Sequence, residues 1–472
     1  MPLANPALVT RLKRELPPAA PLPATLQTLG CRWWPLSYME WCRARFGERF
    51  TVYPVDMPPL VFLSDPQDIR AVVSAPADVL HAGAGSAIIA PLIGESAFIL
   101  CEEEEHLCAR SAAVPAFHHK VVQDHATMVA EIAMRQIASW PLDTPFAIHP
   151  YIRALTLQAV LHALFTGENQ LVIKQLQGPV LDMLSITESF LLQEPRLRYL
   201  PGWRARWRRF VEQRAHVETL VFGVITRRRR EGEGHGDLLE MLLAARNPNG
   251  TPMSNRQIHD HIMSMIVAGH ETTAAEIAWA FQLLAHHDSA QSQLIEEIDG
   301  GRDEDYLTAT VQETLRHRPA FLFAIPREVA IPIEIGGWRY TPPAHLVACT
   351  YLMHHDPSLY PDPHTFQPER FLGHTPQAGT WLPWGAGRKR CIGRHFALLE
   401  MKTVLREALS TRFVQPVGRT IERPRWRSAI LVPHAGSQII LRRRLPRKRY
   451  TPPVAHAGQR TTGESSLIGS KR

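Results

Sequence analysis

Trp384-Gly385-Ala386-Gly387-Arg388-Lys389-Arg390-Cys391-Ile392-Gly393 reads as a loop running into a helix, with one cysteine set among glycines and behind three cations. A thiolate there gains from the positive end of the helix dipole and from backbone N–H groups aimed at sulfur. The glycines remove the Cβ atoms that would keep a flat, bulky cofactor, or a tight turn, away from the backbone. Those are the conditions a cysteine needs to be the axial ligand of haem iron. A zinc site needs several ligands, and no second cysteine or close histidine pair stands at finger spacing around Cys391. From this stretch alone, a glycine turn beside a buried, inert cysteine stays an open alternative.

The stretch resembles the cysteine-ligand loop of the cytochrome P-450 family, the haem-thiolate monooxygenases, written Phe-x-x-Gly-x-(Arg or His)-x-Cys-x-Gly. Cys391 falls on the iron ligand, Gly387 and Gly393 on the two glycines, and Ile392 on an apolar position. Trp384 stands where Phe is usual, and its N–H calls for a partner beside the sulfur. Lys389 stands where Arg or His meets a haem propionate; it keeps the charge but loses the bidentate fork. The resemblance implies haem b as cofactor, with Cys391 as the metal ligand.

Upstream, Ser254-Asn255-Arg256-Gln257 has the form of a capping box opening a helix. Ile258, Ile262, Met265, Gly269 and Thr272 follow at steps of four, three, four and three, which places them on one face. Within that helix lies Ala268-Gly269-His270-Glu271-Thr272-Thr273. An acid and a threonine just after glycine are poor helix chemistry: glycine permits local widening, and threonine can bond back to a carbonyl one turn earlier. Read from residues alone, this remains compatible with an ordinary buried helix carrying a polar pair. The resemblance makes it the distal helix over the haem, with Ala268 on the pocket wall and Glu271 and Thr272 as the acid and alcohol of proton delivery.

Further matches follow in the family's order, from about Trp34 to Arg444. Glu313-Thr314-Leu315-Arg316 places an acid and a base at i, i+3, by itself no more than a routine ion pair. With Arg370 they match the family's Glu–Arg–Arg network, which supports the cofactor pocket through paired, charge-assisted bonds. His106 and Arg110 match the pair facing one propionate, and Arg327 the strand arginine facing the other. Phe321-Leu322-Phe323-Ala324-Ile325 and Ala87 to Ile93 fall on pocket-lining segments. Both are apolar, so a lipophilic substrate such as a fatty acid, sterol or terpenoid is expected. Phe321 and Phe323 as ordinary core remain equally open.

The chain has 472 residues, 45% of them hydrophobic, enough for a large core, and no linker divides its middle. We expect a Pro-rich lead over 1–30, a single catalytic domain over 31–445, and a basic, disordered tail over 446–472. The fold class is mainly α with a small β part, and the resemblance implies the cytochrome P-450 fold. Pro35 to Arg45 reads as the first helix, Phe50–Val55 and Leu60–Ser64 as strands, and most of 100–318 as helix. Ile331–Ile335 and Leu346–Thr350 read as strands, and Ser428–Val432 with Gln438–Arg442 as a hairpin. Asp356 to Pro383 is irregular.

No apolar run reaches the length of a membrane span and no signal-peptide pattern opens the chain, so a cytoplasmic protein without a transmembrane anchor is expected. Six cysteines in a chain of this length suggest no disulfide framework. The net charge of +7 comes from scattered clusters. Arg227 to Arg230 suit a helix C-terminus. Trp203-Arg204-Ala205-Arg206-Trp207-Arg208-Arg209-Phe210 is read as a lid helix with aromatics inward rather than a nucleic-acid- or membrane-surface-binding segment. No dinucleotide-binding fingerprint is present, and the resemblance implies electrons from a ferredoxin- or flavodoxin-type partner, expected to dock on Arg388, Lys389, Arg390 and Arg394. A haem-dependent sensor, or a peroxide-driven or non-oxygenating member of the same fold, is the rival reading.

Overall fold

The computed structural model describes residues 15–444 apart from 84–85, 87–88, 167, 169, 188–197, 233–236, 302, 375, 378 and 428. The first residues of the Ala87–Ile93 segment, Ser428 at the head of the expected hairpin, and the 446–472 tail therefore lie outside the described residues.

Helix dominates. Along the chain run α1 (Ala24–Trp33), α2 (Pro35–Phe46), α3 (Pro66–Ser74), α4 (Glu103–Ala113), α5 (His149–Leu164), α6 (Trp203–Glu231), α7 (Asn255–His286), α8 (Asp305–His317) and α9 (Arg394–Thr411), with other helices connecting them. α7 is the axis of the molecule. The capping box forms as read: Ser254 Oγ accepts from the Gln257 N–H at 3.2 Å, and Gln257 Oε1 accepts from the Ser254 N–H at 2.9 Å. From Thr273 to Ala285 every side chain of α7 is buried, so this half is enclosed on all faces, by α5, α9 and a strand ribbon among others. Burial all round is what a helix through the centre of a large core requires.

The strands are β1 (Arg49–Val52), β2 (Leu60–Leu63), β3 (Leu80–His81), β4 (Phe146–Ala147), β5 (Arg327–Val329), β6 (Ile333–Ile335), β7 (Trp338–Tyr340), β8 (His345–Ala348), β9 (Arg412–Pro416), β10 (Pro424–Arg427), β11 (Ile430–Pro433) and β12 (Gln438–Arg443). A mixed five-stranded sheet has the order β1-β2-β8-β5-β3, in which only β2 and β8 run parallel. A second sheet, β4-β12-β9, and two ribbons, β10–β11 and β6–β7, complete the β part.

The expected hairpin over 428–442 does not form. β11 pairs with β10, whereas β12 pairs with β9 and β4. The reason lies in burial. β12 alternates, with Ile439 and Leu441 turned into the core, as an antiparallel strand with one covered face does. β11 is buried at all four positions, and its Leu431 carbonyl accepts from Trp279 Nε1 of α7 at 3.2 Å. Glu422 holds the corner between them, its carboxylate accepting from the N–H groups of Ala435, Ser437 and Gln438. Other bounds shift by one to three residues; Thr350, read as the end of a strand, opens a short helix instead.

The Trp203–Phe210 segment opens α6 with its aromatics inward: Phe210 is buried, and Trp203 and Trp207 are half-buried against the core. Arg227 to Arg230 end that helix and tie loops together. Arg228 is buried between Glu168 and Asp237, and Arg229 donates to the Met253 carbonyl at 2.6 Å. All six cysteines are free. No helix among the described residues is long and apolar enough to cross a membrane.

Candidate active site

The ligand loop is shaped by its glycines. Gly385 and Gly387 take φ of +64° and +65°, the left-handed region that side chains rarely adopt. A Cβ on Gly387 would collide with the Val73 carbonyl oxygen of α3, so the loop lies against that helix. The loop closes through the Cys391 N–H, which donates to the Trp384 carbonyl at 2.8 Å, and Gly393 is the N-cap of α9. Cys391 keeps accessible surface although protein surrounds it. Burial pushes its thiol up, opposed by the Gly393 N–H and then by Arg110, Arg394 and Arg390.

Around the sulfur, basic groups from three segments share one neighbourhood. His106 and Arg110 stand one turn apart on α4, Arg327 opens β5, and Lys389 lies in the loop. Burial first, then the charges of Lys389, Arg110 and Arg327, depress the His106 imidazole to about 3. Burial likewise pulls Lys389 down to about 8, with Glu102 opposing. Arg327 and Arg110 are both lowered by burial, opposed by Glu102 and by Cys391 respectively. Lys389 Nζ also donates to the carbonyls of Cys101 at 2.5 Å and Ile99 at 3.3 Å, so part of its bonding capacity is spent on backbone. A single thiol facing several converging donors fits the iron and two propionates of haem. It does not fit zinc, since no group of three metal-binding side chains exists among the described residues.

On α7, Thr272 Oγ1 donates to the Ala268 carbonyl at 2.6 Å, one turn back. Gly269 faces α5, and a Cβ there would stand 3.1 Å from Val160. Glu271 is held by residues that no local pattern marks out. Its Oε2 accepts from Arg153 Nε of α5 at 2.6 Å, and its Oε1 lies 2.9 Å from Arg427 Nε of β10. His149 and His270 stand at 3.5 and 3.7 Å from the same carboxylate. Burial raises the Glu271 carboxyl and Arg153 opposes it. Burial, then the like charge of Arg153, brings Arg427 down to about 9.

Glu276, one turn beyond Thr272, is a second unremarked acid, visible in retrospect as a lone charge within the apolar run to Ala285. It accepts from the Ala320 N–H at 2.6 Å, tying α7 to the loop that carries Phe321 and Phe323. Burial pushes its carboxyl up to about 8. Of those two aromatics, Phe321 is exposed and Phe323 packs edge-on to Phe62 at 5.5 Å, in the cluster beside the five-stranded sheet. Ala268 is half-buried.

The Glu313, Arg316 and Arg370 side chains meet. Arg316 forks onto Glu313 at 2.7 and 2.8 Å, and Arg370 Nε lies 3.5 Å from Glu313 Oε1. Arg316 also donates to the carbonyls of His354 and Pro363, and Gln367 N–H to Glu313, which pins the irregular segment after 356. Trp384 is half-buried against the main core.

The cytochrome P-450 family model matches residues 16–440. Cytochrome P-450 135B1 of Mycobacterium tuberculosis (strain ATCC 25618 / H37Rv) is 31% identical over 90% of this chain and 91% of its own. Cytochrome P-450 137 of the same strain is 33% identical over 84% of each. Two solved structures share the fold at 21% identity. Retinoic acid bound cyanobacterial CYP120A1 has a TM-score of 0.78 over 91% of this chain and 99% of its own. The cytochrome P-450DA heme domain has 0.80 over 92% and 99%.

Proposed function

We infer what this chain acts on from one premise: it belongs to the cytochrome P-450 family. It is accordingly a haem-thiolate monooxygenase, an oxidoreductase whose cofactor is haem b. The substrate is a lipophilic small molecule, and the electrons come from a separate ferredoxin- or flavodoxin-type donor. The observation that carries this reading is the convergence of His106, Arg110, Arg327 and Lys389 on the neighbourhood of Cys391.

Cys391 would hold the iron, and the four basic side chains the propionates; haem b, when bound, supplies the oxygen-activating chemistry. Gly387 and Gly393 let the loop seat Cys391 and Trp384 walls it. Thr272 spends its own proton on the Ala268 carbonyl, which leaves Oγ1 lone pairs to accept from a water or a substrate hydroxyl. Glu271 delivers protons at its carboxylate oxygens. Burial favours its protonated form and Arg153 its ionised form, so a small movement of Arg153 shifts the balance. Glu313, Arg316 and Arg370 position the segment leading to the ligand loop.

We assign Ala268 and the exposed Phe321 to the pocket wall, while Phe323 packs against Phe62, and the apolar character of the first two supports the substrate class. The neighbouring fold whose title names bound retinoic acid supports the same class. Arg388 and Arg390 are exposed beside the ligand loop, a basic patch suited to steering an acidic donor. Reduction rates that ignore ionic strength would remove that donor assignment.

The test is the difference spectrum of the reduced protein with and without carbon monoxide, on wild type and Cys391→Ser. A strongly red-shifted Soret band that the substitution abolishes is expected. A band at the position of histidine-ligated haem would overturn the assignment of Cys391.

A further inference from the structure

One buried imidazole on α7 has nothing to bond to. His261 is 3% exposed, and its Nδ1 meets no hydrogen-bond partner among the described residues. A bare polar nitrogen inside a protein costs free energy, so its retention calls for a partner from outside the chain. The residues beside it are already engaged. Asp260 accepts from the Ser96 N–H at 3.1 Å and lies 2.8 Å from His259 Nδ1. A Cβ on Gly94 would collide with the same carboxylate, so the turn at 94–96 is wrapped around it. His259 lies flat on Phe222 of α6 at 4.9 Å. The His261 ring meets Phe98 edge-on at 6.4 Å instead.

Two relations tie His261 to the reacting end of α7. Thr272 lies eleven residues further on, close to three turns, so both share one face with Met265 and Ala268, about 16 Å apart along the axis. On that face Ala268 and Thr272 are half-buried, whereas every side chain from Thr273 to Ala285 is buried. Phe98, for its part, adjoins Ile99, whose carbonyl accepts from the Lys389 ammonium.

Charge decides what His261 would bind. Burial lowers its imidazole to about 4, with Asp260 opposing, so at neutral pH the ring is uncharged. A neutral imidazole offers one N–H and one lone pair. Nearby, Arg214 of α6 is opposed by Asp260 and Glu95, and Arg256 pairs with Glu218. Among these groups no cation is left over for a carboxylate. A hydroxyl, donor and acceptor at once, is the complement of the ring.

We propose that His261 binds the hydroxyl of an elongated lipophilic alcohol, at the far end of the space that Thr272 borders. The alcohol spans about 16 Å from that hydroxyl, and its remote end is the one presented for oxygenation. His261 is then a specificity residue. This rests on the oxygenase reading and narrows its substrate class.

Tetradecanol, tetradecanoic acid and tetradecane, each supplied in cyclodextrin, are titrated into the ferric protein and followed by the Soret shift. The oxygenated carbon of each product is located by mass spectrometry. The wild-type protein should bind the alcohol about tenfold more tightly than the other two and oxygenate it at the end remote from the hydroxyl. His261→Leu and His261→Phe keep the site filled without a polar atom, and should abolish the preference and scatter the oxygenation. His261→Gln keeps a donor and an acceptor, and should retain most of both. A carbon monoxide spectrum equal to that of the parent shows that a variant folds and holds haem. Acid bound as tightly as alcohol would overturn the neutral head group. An alcohol preference that survives in the Leu and Phe variants would take His261 out of recognition. Wild-type protein that gives the thiolate band but no alcohol preference overturns this proposal alone; wild-type protein without that band overturns the oxygenase reading with it.

Discussion

A guanidinium with no exposed surface needs its N–H groups partnered, and Arg316 reaches Glu313 by a fork and two carbonyls at 2.8 Å each. Lysine has one point charge and no fork, so Arg316→Lys leaves Glu313 under-bonded inside the protein. Breaking a buried pair costs about 3–5 kcal/mol, and the conservative change should cost at least about 2. The urea midpoint of unfolding checks it; a shift worth less than about 0.5 kcal/mol would mean the fork is dispensable. Thr272→Ala makes a different prediction. It removes a half-buried hydroxyl whose proton goes to the Ala268 carbonyl one turn back, so haem content should be unchanged while less product forms per reducing equivalent and more peroxide appears. Unchanged coupling would take Thr272 out of the mechanism. Glu271 and Thr272 stand out through the family resemblance, since from the residues alone they suit an ordinary buried helix with a polar pair. Arg153 and Arg427 do not, because they reach Glu271 from α5 and β10, and nothing local to either announces a buried carboxylate.

Between elements, the ligand loop lies close against α3, where a Cβ on Gly387 would meet the Val73 carbonyl. Gly387→Ala must both strain a φ of +65° and push the loop off α3, so Cys391 and Lys389 move together. Haem retained per mole of protein should fall several-fold, read from the ratio of Soret to protein absorbance; full retention would show that the loop tolerates displacement. The elements themselves were uneven in legibility. α7 was read from its cap and its face because both signals are local and strong. α1 was passed over because a proline-bracketed segment with its leucines facing outward carries little sign of a buried face. The 428–442 hairpin was misread because an apolar run and a turn specify strands but not partners. Pairing there is decided by which core face each strand can cover.

Across the whole molecule, buried ionisable groups set the pH at which the fold is most stable. His149, His261, His270, His317, His354 and His355 are all buried and held below the ordinary value of 6.5, chiefly by desolvation, His261 at about 4 and His270 and His354 at about 3. Below 6.5 the unfolded chain takes up protons that these folded imidazoles refuse, so stability falls as pH drops. Two buried carboxyls act in the opposite sense. Glu276 is raised to about 8 and Glu400 well above its ordinary value, both by desolvation. Above 4.5 the unfolded chain releases their protons while the folded chain keeps them, so each favours folding less as pH climbs towards 8. On the acid side these six histidines, joined by His106 at about 3, outweigh Glu276, Glu400 and the likewise raised Glu271, giving a slope of up to about 5 kcal/mol per pH unit. Above 6.5 the carboxyls dominate, opposed from about 8 upward by Lys389, whose proton the unfolded chain keeps longer. Melting midpoints measured from about pH 5 to about pH 9 should therefore peak near 6.5, fall steeply towards acid and gently towards alkali. Glu276→Gln should flatten the alkaline limb and leave the acid limb in place. A midpoint that rises steadily to pH 9, or stays level between 5 and 7, would mean that these side chains titrate as freely in the fold as in the unfolded chain.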